Sequence, residues 1–138
     1  MKIGLTSWAG VMAGAALLGA VSVVPAHASE GEFQSSITGW QVSSQPESRR
    51  WWDGNNTSDY TGIYFSGCTA DGGGGFNFAT LRLWKDVPNA PDRSKGTRTN
   101  YCGWVDYGDP NDAGNYYFAL TDMSSGTYLS VEYVKVAW

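Results

Sequence analysis

The chain has 138 residues, a formal net charge of −4 and 16% charged residues. So acidic a chain lacks the basic face that phosphate backbones require, which excludes nucleic acid as a partner, and it has no attraction for an anionic membrane surface. One histidine and two cysteines leave little material for imidazole or metal chemistry.

Residues 1–28 read as a secretory signal peptide. Lys2 supplies a short positive start, residues 10–24 are an apolar run, and Ala26-His27-Ala28 after Pro25 is a small-x-small cleavage site. The run is short for a bilayer span. Removing these 28 of the 138 residues leaves 110. Lys2 and His27 go with them, so the exported chain has a formal charge of −5 and no histidine. A chain of that length makes one domain and buries about two-thirds of its unfolded surface.

Residues 29–59 form a polar N-terminal segment, partly extended. Its first residues, 29–36, are expected to be flexible. One strand is expected at residues 37–42 (ITGWQV), closed by Pro46. Arg49, Arg50, Trp51 and Trp52 then cluster before a turn at Asp53-Gly54-Asn55-Asn56. Neighbouring strand residues point to opposite faces, so Trp51 and Trp52 cannot both enter one core.

From Tyr60 to the end the pattern is strand after strand. Residues 62–66 (GIYFS) are short and apolar. Residues 76–86 carry the densest β signal, with Phe76 and Phe78, then Leu81 and Leu83, at a period of two. The four glycines 72–75 precede this strand, and a Pro/Asn/Asp loop follows it. Residues 101–106, 116–121 and 128–138 complete the set. Leu129, Val131 and Tyr133 alternate in one phase and Val134, Val136 and Trp138 in the other, which predicts a bulge between them. No stretch has helical periodicity. The expected fold is therefore all-β: a single antiparallel β-sandwich, residues 60–138 forming its core, with a small barrel as the alternative. Cys68 and Cys102 fit one disulfide in an exported protein, closing a loop of roughly 35 residues worth about 3–4 kcal/mol. Two free thiols or a metal pair are the other readings.

Catalytic machinery is not legible. Without histidine there is no Ser-His-Asp or Cys-His arrangement. Residues 72–75 open a strand and lack the Lys-Ser/Thr of a phosphate loop. A carboxylate pair of the glycosidase kind is conceivable, but the acidic residues mostly sit beside turn formers. Asp106, Asp109, Asn111 and Asp112 make an oxygen-rich loop that either holds calcium or is a solvated turn. Asn55-Asn56-Thr57 and Asn56-Thr57-Ser58 match the glycosylation triplet. No cofactor is expected.

The aromatic residues carry the functional signal. Trp40, Arg49, Arg50, Trp51 and Trp52 are the expected partner-binding surface, because Trp and Arg dominate protein–protein hot spots. A hydrophobic lid on the sandwich is the competing explanation. A carbohydrate-binding module would use the same aromatics with Asp53 and Asn55 beside them. A hydrolase inhibitor would use the long basic loop at residues 89–99 (NAPDRSKGTRT).

The signal peptide, the single cysteine pair and the elements LRLWKDVPNAPD, TNYCGW, YYFAL and LSVEYVKVAW resemble small secreted proteins of filamentous actinobacteria. Among these the chain resembles the adaptor subunit of secreted umbrella toxin particles. The resemblance implies a non-catalytic extracellular protein that joins a lectin subunit to a long, toxin-bearing repeat protein. The assembly would act against competing bacteria.

Overall fold

A computed structural model describes residues 30–138. The signal-peptide reading of residues 1–28 lies outside the described residues. Eight strands follow in chain order: β1 Glu32–Gln41, β2 Trp51–Asp53, β3 Gly62–Ala70, β4 Ala79–Asp86, β5 Arg93–Asn100, β6 Trp104–Asp106, β7 Gly114–Met123 and β8 Tyr128–Ala137. They form two antiparallel four-stranded sheets, ordered β1-β8-β3-β6 and β2-β7-β4-β5. The sheets do not join, so this is a sandwich and not a barrel. One short 3₁₀ turn, Val42–Ser44, interrupts the strands.

The core lies between the sheets. Ile63, Phe65, Val131, Val134 and Val136 meet Leu81, Leu83, Phe118 and Leu120 from the facing sheet. Leu81 and Leu83 point inward as their period requires, while Trp84 turns outward under the Arg82 guanidinium, 5.4 Å away. The strand itself begins at Ala79, so Phe76 and Phe78 belong to the loop before it. In β8 the inward set runs Leu129, Val131, then Val134, Val136. The break in phase falls at Glu132 and Tyr133, where the β1–β8 register also shifts. Gly67, opposite on β3, takes a φ of 70°, which lets both strands change phase together.

Two expectations about the chain are corrected. Residues 32–36 are not flexible: they belong to β1, which runs beside β8 along its length and buries Phe33 and Ile37. The sandwich therefore includes the N-terminal segment and does not begin at Tyr60. The basic stretch at 89–99 is not a free loop either. Most of it is β5, paired with β4. Its sequence, RSKGTRTN, has no apolar residue because β5 is a sheet edge, where charge guards against further pairing.

The disulfide joins Cys68 of β3 to Cys102, with Cα atoms 6.0 Å apart. Cys102 sits at the corner where the chain leaves one sheet for the other. Asn100, 0% exposed, builds that corner. Its Oδ1 accepts from the N–H of Cys102 at 2.8 Å and of Gly103 at 2.9 Å, and its Nδ2 donates to the Gly103 carbonyl at 3.0 Å. A buried amide is satisfied in this way, and Cys102 is held at a φ of 72°.

Candidate binding seam

The five residues expected to form one binding surface separate into four environments. Trp51 is 3% exposed and closes one end of the core. Its ring lies 5.7 Å from Phe33, 5.8 Å from Trp138 and 6.4 Å from Tyr116. The lid explanation holds for this residue. Trp52, its neighbour on β2, points the other way and is 59% exposed. It stands beside an open groove of about 330 Å³ whose walls include Asp86, Val87, Pro88, Arg93 and Asn115.

Arg50 is engaged within the domain. Its guanidinium bonds Asp86 and Glu47, each at 3.0 Å, and lies 3.9 Å over the Tyr117 ring. The hydrogen bond to Asp86, more than the weaker pull of Glu47, stabilises its charged form and raises its pKa against the effect of burial.

Trp40 and Arg49 come together. Between β1 and residues 47–49 lies a small depression over the edge of the core, where Ile37 is 4% and Phe118 and Val134 are each 1% exposed. The seam has a volume of about 140 Å³. Phe33, Ile37, Phe118 and Val134 line its floor, and Trp40 and Arg49 stand at its rim. Trp40 packs on Phe118 with ring centres 5.8 Å apart. The Arg49 guanidinium lies 4.5 Å from the Phe33 ring centre. Its Nε donates to the Arg50 carbonyl at 3.3 Å, and no described carboxylate lies within ion-pair distance of it. Ser48 fixes the far wall. Its N–H donates to the Phe118 carbonyl at 2.8 Å, and its Oγ accepts from the Phe118 N–H at 2.9 Å. Sequence reading missed Ser48, Phe33 and Phe118, since the seam brings together residues from both ends of the chain.

Asp53 and Asn55, expected beside a sugar, serve the local turn instead. Asp53 is buried, and its Oδ1 accepts from the Asn55 N–H at 2.8 Å. Burial raises the Asp53 pKa, and the Asn55 bond partly opposes that. Glu30 braces the same turn through the Gly54 and Asn56 N–H groups.

The oxygen-rich loop is not arranged for calcium. Asp112 receives Lys85 Nζ at 2.7 Å, Lys95 Nζ at 3.0 Å and Arg93 at 3.4 Å. Three cations stand where a dication would have to sit. Asp109 is turned to the Asn111 N–H, 3.0 Å away, and Asp106 accepts from the Trp104 indole at 3.0 Å. Among the described residues no group of three His, Cys, Asp or Glu side chains gathers as a metal site. Burial alone would raise the Asp112 pKa. Hydrogen bonds from Lys85, Lys95 and Tyr116 overcome it and hold the carboxyl well below its ordinary range. A depressed carboxyl contributes stability above the unfolded pKa of about 3.9 and loses it as pH falls toward the folded value. Asp112→Asn is therefore expected to lower stability by about 1–3 kcal/mol at neutral pH, the scale of hydrogen bonds to charged groups. The gap between variant and parent should close as urea midpoints are followed from pH 5 downward. A constant gap would mean that the charge of Asp112 contributes nothing.

No family model, curated protein or solved structure matches the chain. Among the described residues no helix is long and apolar enough to cross a membrane.

Proposed function

We propose that the protein is a secreted, non-catalytic adaptor that joins a lectin subunit to the toxin-bearing repeat protein of an antibacterial particle. The resemblance described above names the assembly. The observation that carries a binding role is the seam, where an apolar floor opens beside Trp40 and a cation, Arg49, that has no described carboxylate partner. Apolar floor, aromatic and arginine are the composition of an interface hot spot. Trp52 and its groove give a second exposed surface, separated from the seam by Arg50, which bonds Glu47 of the seam and Asp86 of the groove.

The test is to tag the C-terminus, recover the protein gently from culture supernatant, and weigh and identify what accompanies it. A large assembly containing a lectin-like chain and a long repeat chain is expected. A free species near the monomer mass would overturn the adaptor reading. The open Trp52 face supports a second reading, a carbohydrate-binding module, because a flat indole suits stacking on a sugar ring. Binding on a glycan array that Trp52→Ala abolishes would favour it.

A further inference from the structure

We infer that β1 is the acceptor edge for an extended segment of a partner protein, which adds a strand there, sets one apolar side chain in the seam and brings a carboxylate to Arg49. This rests on the adaptor reading and specifies how a partner is held.

A two-sheet sandwich has four edges, here β1, β6, β2 and β5. Natural sheets protect such edges with short strands, cations, proline or bulges. β2 and β6 are three residues each, too short to template a partner. β5 carries Arg93, Lys95 and Arg98, and its pairing with β4 is broken near Gly96, whose φ is 115°. β1 is different. It is ten residues long and contains no lysine, arginine or proline. Its one charged residue, Glu32, is bonded to Lys135 at 3.1 Å. From Glu32 to Ser35 it pairs in unbroken register with β8, so the alternate N–H and C=O groups on its other side form a regular row.

The seam lies against this same edge. An apolar cavity of about 150 Å³ accommodates a ring the size of benzene, so a space of this order takes one aliphatic or aromatic side chain. In strand addition the main chain supplies affinity, and pockets for alternate side chains supply specificity. Arg49 sets the sign of the neighbouring residue. Of the two charges on this rim, Glu47 is already neutralised by Arg50, whereas the partners of Arg49 among the described residues are a carbonyl and an aromatic ring. An acidic side chain on the incoming strand completes it.

The test uses the full exported chain, oxidised and labelled for amide NMR. The probes are peptides as long as β1, alternating Thr and Val, with a central Leu next to Glu. Two controls accompany them: the same peptides with Lys for Glu, and the Glu peptides N-methylated at alternate residues along one edge or the other. Shifts are expected on the β1 amides and on residues 47–49. Binding of the Lys version should be about tenfold weaker, as for a mismatched interfacial charge. N-methylation along one of the two edges should abolish binding, because it removes the donors of that edge. Arg49→Glu, a change at an exposed position, should reverse the Glu/Lys preference. No shifts, shifts centred on β5 or Trp52, or indifference to N-methylation on both edges would each overturn the assignment. The two readings fail separately. If the particle is recovered but the peptides ignore β1, only the acceptor edge falls. If the peptides bind β1 and no assembly exists, the adaptor role falls.

Discussion

Trp51→Ala is expected to destabilise the domain by about 3–5 kcal/mol, whereas Trp52→Ala, one residue on, should change stability by no more than about 0.5 kcal/mol. The two indoles are chemically identical and adjacent, so the difference is purely one of facing. Trp51 lies among Phe33, Tyr116 and Trp138, three rings from three different strands or termini. Removing it leaves a cavity at the end of the core that rigid aromatic neighbours refill poorly. One term works against the loss. Trp51 Nε1 is buried without a hydrogen-bond partner, so truncation also removes an unsatisfied donor. The result should fall toward the lower end of the range. In thermal unfolding it corresponds to a drop in midpoint on the order of 10 °C for a domain of this size. Circular dichroism against temperature and urea separates the two variants. Equal losses would mean that β2 does not alternate as described. Trp52→Ala, being folded, is then the variant in which a binding defect can be attributed to a surface.

The sequence conveyed most about strands that face a core on one side and solvent or a second layer on the other. The Leu81 and Leu83 alternation located β4, and the change of phase between Val131 and Val134 located the irregularity in β8. Edge strands were harder. In β1 only Phe33 and Ile37 are fully buried, four residues apart, and the polar residues between them hide the period of two. β5 has no apolar side chain at all, and its conformation comes from pairing with β4, which composition cannot report. Alternation said that Trp51 and Trp52 must part company, but which one enters the core depends on the register of β2 against β7. Calcium stayed open as an alternative for the loop of Asp112 because its three cations come from strands well before it in the chain. The seam was illegible for the same reason: its walls are distant in sequence and meet only when the two sheets pack.

Replacing both Cys68 and Cys102 by alanine is expected to cost about 4 kcal/mol, from the loop-closure entropy of a crosslink spanning this separation. The bond closes a separation of 34 residues that contains β4 and β5, half of one sheet. It also ties β3 of the other sheet to the corner where the chain crosses over. Without it, both pairings must be found by an unconstrained chain. Against a typical stability of about 5–15 kcal/mol, this is a large share, and the acidic, glycine-rich chain has few means to recover it. The native geometry should nevertheless persist. Asn100 holds the corner through three hydrogen bonds that do not involve sulfur, and β3 stays paired with β8. The signature is therefore specific. The urea midpoint should fall, the dependence on urea should steepen because the unfolded chain is now more open, and peptide shifts on β1 should be unchanged. If the midpoint falls and the β1 shifts vanish as well, the crosslink is shaping the folded sandwich. If the midpoint does not move, the Asn100 corner alone fixes the crossover and the loop-entropy account fails for this chain.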